Sequence, residues 1–172
     1  MVSYMPLVER DFKKIEAILE KRNVNRYYIK RLLNYIRELN KYVDISGLLL
    51  YGSVARGNPI YHKSDIDIIV ISEDFKNYNE IFNLRREISR FLPSGIDSMW
   101  MNKSEFEAAL LGLSGVILDA LYEGIILYDR DGFLENMKQR LLKAIKRGEI
   151  ERYKNFWRFP KVKIGKRTKI EI

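Results

Sequence analysis

Two carboxylates one residue apart, Asp65 and Asp67, interrupt an apolar run that continues through Ile66, Ile68, Ile69 and Val70. In a β-strand alternate residues share a face, so the two side chains point the same way from Cα atoms about 6.5–7 Å apart. Like charges on one face of a buried strand repel each other and resist leaving water, and a purely structural strand rarely keeps them. A pair of divalent cations about 3.5–4 Å apart relieves that conflict, and such pairs drive phosphoryl and nucleotidyl transfer. Oxygen ligands suit the hard Mg²⁺ ion, whose charge would hold both carboxylates ionised. Twelve residues before Asp65, Gly52-Ser53 ends the apolar run 47–51 and opens a short helical stretch. Backbone N–H groups at such a turn bind phosphate. A phosphate cradle followed by metal carboxylates reads as a site that handles nucleotides.

The fuller pattern, Gly-Ser-Val-Ala-Arg-Gly at 52–57 followed by Ser-Asp-Ile-Asp-Ile at 64–68, resembles the signature of the DNA-polymerase-β-like nucleotidyltransferase superfamily. It is similar in particular to the small stand-alone minimal nucleotidyltransferases of archaea and bacteria, over about residues 25–130. The resemblance implies transfer of a nucleoside monophosphate, with ATP as the expected donor, to an acceptor hydroxyl with two Mg²⁺ ions. It implies a third acidic residue on a neighbouring strand, which completes the metal site and helps deprotonate the acceptor. Asp97, in Gly95-Ile96-Asp97-Ser98-Met99-Trp100, matches by position, although Ser98 and Trp100 stand where small aliphatic residues are usual. The alternative for Asp97 is a turn residue after Pro93-Ser94-Gly95. Asp65, Asp67 and Asp97 are thus the expected catalytic and metal-binding set. Gly52, Ser53, Arg56 and Ser64 are the expected nucleotide-binding set. Gly52 N–H and the Ser53 hydroxyl would face the β- and γ-phosphates. Arg56 either contacts phosphate or fixes the loop through an ion pair, and Ser64 caps the loop by default. In related small proteins the acceptor is a HEPN-type toxin, which would make this chain an antitoxin.

Elements to position these groups are legible on both sides of the motif. Helical spacing of Leu7, Phe12, Ile15, Ile18 and Leu19, then of Ile29, Leu32, Leu33, Ile36 and Leu39, predicts helices over 6–21 and 25–41. They are expected to cover a sheet face. A partner or dimer surface built on the same stripe with Tyr27, Tyr28, Tyr35 and Tyr42 is the alternative. Further helices are predicted over 78–91, 103–111, 113–122 and 132–146, with strands over 96–101 and 124–128. Gly52 ends its strand whereas Asp65 begins the next, so reaching one triphosphate requires those strands to run antiparallel. Asp97 also begins its strand, which must then run parallel to that of Asp65, with helix 78–91 as a right-handed crossover. The expected fold is therefore α/β (α+β), a mixed sheet with helices packed on it and extra helices at both termini.

The 172 residues are one domain's length, 47% apolar and 31% charged. No apolar stretch approaches the ~20 residues of a membrane span, and the N-terminus lacks a signal-peptide pattern. The absence of cysteine removes disulfides and thiolate zinc sites and fits a reducing cytoplasm. His62 is the single histidine; it is expected to pack in its loop rather than act as a base. Lys63 beside it contacts phosphate or stays solvated. Of the net charge of +8, residues 150–172 contribute eight Lys/Arg and two Glu, hence +6. This divides the chain into a nucleotidyltransferase domain over 1–149 and a basic tail over 150–172. The alternation of residues 161–164 suggests a half-exposed edge strand, with Trp157, Phe159, Val162 and Ile164 packed on the body. A nucleic-acid arm is the other reading of the tail. Trp100, Phe156 and Trp157 are expected to pack rather than stack a base. Besides the enzyme, two further readings remain. One is a catalytically silent nucleotide- or partner-binding module, the other a nucleic-acid-binding protein acting through its tail.

Overall fold

A computed structural model describes residues 5–60, 63–154, 156–160 and 172. The first helix, α1 (Glu9–Lys21), buries Phe12, Ile15 and Leu19, and the Asp11 carboxylate accepts the Val8 N–H at its start. The second, α2 (Arg26–Leu39), is capped by Asn25, whose side chain accepts the Tyr27 N–H. Its apolar stripe is buried as its spacing predicts, and Tyr28 and Tyr35 are buried with it. Those two tyrosines belong to the interior rather than to a partner surface.

Strand β1 (Gly47–Tyr51) leads into the one-turn helix α3 (Gly52–Ala55), and β2 (Ile66–Ile71) follows the loop. Helix α4 (Tyr78–Ile88) connects β2 to β3 (Ile96–Met101). Next come α5 (Lys103–Leu111), α6 (Gly115–Glu123), β4 (Ile125–Asp129) and α7 (Phe133–Lys146). The strands form a mixed sheet in the order β3-β2-β1-β4. As convergence of the motif residues on one site requires, β1 and β2 are antiparallel, with Tyr51 opposite Asp67. Likewise β2 and β3 are parallel, with Asp67 opposite Asp97.

Strand alternation sends the apolar residues to two cores. Leu48, Leu50, Ile66, Ile68, Val70 and Trp100 face a layer containing α1, α2 and α4. Leu49, Ile69 and Ile71 face α5, α6 and α7. A sheet covered on both faces explains why β2 reads as a nearly continuous apolar run. Among the described residues no helix is long and apolar enough to cross a membrane.

Several boundaries differ from the pattern in the sequence: α1 starts at Glu9 rather than at residue 6, and α2 ends at Leu39 rather than at residue 41. Helix α4 stops at Ile88, and Phe91 closes a turn onto the Ile88 carbonyl. Helix α6 begins at Gly115 because Leu113 adopts a left-handed conformation (φ 58°) as the chain leaves α5. Within the part expected as the tail, β5 (Glu151–Tyr153) and β6 (Phe156–Arg158) pair antiparallel. Trp157 and Phe159 pack against the second core. Residues 161–171, and with them Val162, Ile164 and the suggested edge strand, lie outside the described residues.

Candidate functional site

The site is built where β1 ends and β2 and β3 begin. Gly52 has φ +73°, a conformation open to glycine and strained for other residues. A Cβ at Gly52 would lie 1.9 Å from Asp67 Oδ2 and 2.7 Å from its Cγ. The Gly52 backbone therefore lies directly against the Asp67 carboxylate, and the glycine of the motif is required by sterics as well as by φ. Ser53 follows on α3, partly exposed. The same corner receives Asp65, exposed just before β2, and Asp97, exposed on β3. Asp65 Oδ1 lies 3.6 Å from the position a Cβ of Gly95 would take.

Asp65, Asp67 and Asp97 stand at alternate or register-paired positions on the sheet, so they share a face. Their charges are felt at Asp67. Burial pushes its carboxyl above the usual range, the negative charges of Asp97 and Asp65 push it further, and Arg56 partly opposes them. Tyr51, half-buried opposite Asp67, has its hydroxyl pushed up to about 12 by burial and then by Asp67 and Asp97. The corner thus carries an excess of negative charge that Arg56 offsets only in part, a setting that favours cations.

Among the described residues no group of three or more His, Cys, Asp and Glu side chains is tight enough to hold a metal ion alone. Mg²⁺ is usually bound through one or two carboxylates completed by substrate phosphates. The all-oxygen donor set and the raised Asp67 fit such an ion.

Of the other expected residues, Arg56 forms an ion pair with Glu123 of α6 at 3.4 Å, and its side chain stays 43% exposed. An exposed pair of this kind holds the loop and still leaves the guanidinium free to turn toward a phosphate. The Ser64 hydroxyl accepts the Ile60 N–H at 2.8 Å, a loop-closing bond. Lys63 is exposed, and His62 lies outside the described residues. Trp100 is packed, not free to stack a base. It lies parallel to Phe75 at 5.1 Å, and its indole N–H is shared between Tyr35 Oη and Ser98 Oγ. Trp157 donates to Asp119 and meets Tyr122 edge-on. Phe156 is exposed on the hairpin.

Sequence reasoning missed several neighbours of the site. Glu123 and Asp119, which form no motif, are anchors: Arg152 of β5 pairs with both, linking the hairpin to α6 beside Arg56. Arg31 of α2 donates to Tyr27 Oη and to the Ser94 carbonyl next to Gly95. Only a topology that brings α2 and the β3 entry together reveals it. Along the outer edge of β3 a groove of about 610 Å³ opens between Ile81, Phe82 and Arg85 on one side and Glu105 on the other, with Asp97 in its lining.

Residues 34–132, more than half of the chain, match the family model described as polymerase beta, nucleotidyltransferase. The chain belongs to the polymerase-β nucleotidyltransferase family. This nucleotidyltransferase is 29% identical over 107 residues to a Methanocaldococcus jannaschii protein provisionally assigned as a protein adenylyltransferase, covering 60% of this chain and 72% of that one. Among solved structures it is similar to a provisionally assigned nucleotidyltransferase from Sulfolobus solfataricus. That likeness has 19% identity and a TM-score of 0.36, and covers 71% of this chain and 83% of the other. It is also similar to a toxin–antitoxin structure with AMP-PNP, at 18% identity and a TM-score of 0.42, over 80% of this chain and 89% of that one. The enzyme class expected from the Gly-Ser and Asp-x-Asp motifs, and the fold, are both borne out.

Proposed function

We propose that this nucleotidyltransferase transfers AMP from ATP, with Mg²⁺, to a hydroxyl group of a protein acceptor. The observation that carries the reading is the Gly52 backbone held against Asp67, with Asp97 the register partner of that carboxylate. Phosphate-binding turn and carboxylate cluster thereby meet at one corner. The protein acceptor is supported by the assignment of the Methanocaldococcus relative.

Asp65, Asp67 and Asp97 would hold the metal. When bound, Mg²⁺ would neutralise the triphosphate and the carboxylates together and lower the charge cost of the transition state. Gly52 N–H and the Ser53 hydroxyl donate to the terminal phosphates and fix the donor. Arg56 leaves its exposed pairing with Glu123 to reach phosphate, while Ser64 keeps the loop closed. Asp97 accepts the proton of the acceptor hydroxyl. The acceptor oxygen forms a bond to the α-phosphorus, the bond from that phosphorus to the bridging oxygen breaks, and pyrophosphate leaves with that electron pair. Positioning supplies most of the rate.

A HEPN-type protein, the acceptor that the family resemblance implies, is the first to test, and a second copy of the chain is the natural control. The purified protein is incubated with ATP labelled at the α-phosphate, Mg²⁺ and each acceptor. Label on the acceptor, matched by pyrophosphate, supports the reading. ATP and Mg²⁺ binding without pyrophosphate release would instead indicate a silent binding module. Salt-sensitive binding of RNA or DNA without transfer would favour the tail as a nucleic-acid arm.

A further inference from the structure

We propose that the open edge of β3 docks an extended segment of the acceptor protein, which joins the sheet as a fifth strand and presents its hydroxyl side chain beside Asp97. The proposal rests on the transfer reading above and adds the place and the conformation of the acceptor.

Strand β3 is an end strand of the sheet, hydrogen-bonded to β2 alone among the described residues. The Gly95 and Met101 carbonyls accept from Ile66 and Ser72, so they face β2. By the alternation of a parallel ladder, the N–H and C=O groups of Ile96, Ser98 and Trp100 face outward. The Ser98 carbonyl accepts from Arg85, which agrees with that direction. Edge strands are ordinarily protected by lysine, proline, a bulge or a covering element. Ile96–Met101 contains no lysine or proline and pairs with β2 in unbroken register. Its outer side opens into the 610 Å³ groove instead.

The groove selects its occupant. Arg85 already takes the Ser98 carbonyl and must swing aside; the outward N–H groups and the other outward carbonyls are of the kind that another extended backbone satisfies, the pairing used when peptides add to a sheet edge. Its charged lining is one cation, Arg85, against two carboxylates, Asp97 and Glu105, which disfavours a polyanionic nucleic acid. Ile81, Phe82, Met99 and Met101 offer apolar contact for alternate side chains, and Phe82 is 53% exposed. An added strand lies about 4.8 Å beyond β3. A residue opposite Asp97 has its Cβ about 4.5–5.5 Å from that of Asp97 and projects from the same face. That is also the face of Asp67. A serine, threonine or tyrosine there delivers its hydroxyl to the carboxylate corner without any further movement of the sheet.

The test uses the full chain and short synthetic peptides with one central Ser, Thr or Tyr, each paired with a copy N-methylated at alternate residues. Label transfer from ATP with Mg²⁺ is read beside amide hydrogen exchange at Ile96, Ser98 and Trp100. The proposal expects labelling of a subset of the peptides, slowed exchange at those three amides, and loss of both on N-methylation. Ser98→Pro removes one outward donor at a position where an edge strand tolerates proline. It should reduce peptide labelling about tenfold, as expected for one or two lost hydrogen bonds, and leave the thermal shift with ATP and Mg²⁺ unchanged. Equal labelling of methylated and plain peptides overturns the docking mode while transfer itself stands. So does wild-type protein that labels a folded acceptor but no peptide. The three amides already protected in the free monomer would assign the edge to the chain's own tail, and a dimer dissolved by Ser98→Pro would assign it to a second copy; either overturns the proposal. Failure of pyrophosphate release with every acceptor is a failure of the underlying transfer reading.

Discussion

At the scale of single residues, a glycine and a carboxylate in contact decide what the corner can do. Gly52→Ala places a methyl group 1.9 Å from Asp67 Oδ2 and forces a left-handed φ on a residue with a Cβ. It should cost about 2 kcal/mol of stability and most of the transfer rate, read by thermal melting and pyrophosphate release. Asp67→Asn works the other way on the free protein. Burial and the charges of Asp97 and Asp65 already disfavour the ionised Asp67, so a neutral side chain should leave the melting temperature level or higher. Transfer should nevertheless be abolished, and the stabilisation by ATP with Mg²⁺ should shrink. A clear drop in the melting temperature of the free variant would show that the carboxylate is structurally required. Asp65, Asp67 and Gly52 are legible in the sequence because a charged pair in an apolar strand and a Gly-Ser turn are local patterns. Tyr51, Arg31 and Glu123 are not, because each reaches the corner only through the register of β1 or the packing of α2 and α6.

At the scale of elements, strand directions follow from the site. Two groups that must meet, one at the end of a strand and one at the start of the next, require antiparallel pairing, and the order of Gly52 and Asp65 along the chain is enough to deduce it. The β5–β6 hairpin escapes that logic, since two three-residue strands carry little periodicity and sit within a run of Lys and Arg. What secures it is tertiary: Arg152 pairs with Asp119 and Glu123, and the Trp157 indole donates to Asp119. Trp157→Ala should therefore lower stability by about 2–3 kcal/mol, measured by denaturant unfolding. The N-terminal segment is tied differently. Arg130 Nη1 lies 3.0 Å from Asp44 Oδ2, and Arg130 also donates to the Met5 and Ile45 carbonyls. Hydrogen bonding to Arg130 holds the Asp44 carboxyl below the usual carboxylate range. A carboxyl whose folded value is depressed stabilises above its unfolded value, near 4, and loses that stabilisation as pH falls through the folded value. Acid unfolding curves should show Asp44→Asn less stable than wild type at neutral pH by about 2 kcal/mol, with the gap closing below pH 4. A gap that stays constant down to strongly acidic pH would assign the loss to packing.

At the scale of the whole molecule, the basic charge and the candidate site are separated along the chain. Residues 150–172 carry +6 of the net +8, whereas the corner holding Asp65, Asp67 and Asp97 is negative. A field of that sign should raise the encounter rate with a polyanionic triphosphate at low salt and fade as ionic strength rises. Apparent ATP affinity measured against salt should decline more steeply for wild type than for a variant with Lys161, Lys163, Lys166 and Lys169 changed to Gln; equal slopes would remove the tail from nucleotide capture. The corner rather than the tail is where we place Mg²⁺-dependent transfer of AMP to a protein hydroxyl, carried by its carboxylates. The most direct test is label transfer from α-labelled ATP to the acceptor protein by wild type and by the Asp65→Asn, Asp67→Asn double variant, with chelator as control. Wild type should give a labelled acceptor and equimolar pyrophosphate, and neither should form with the double variant or after chelation. Undiminished transfer by the double variant would contradict the claim.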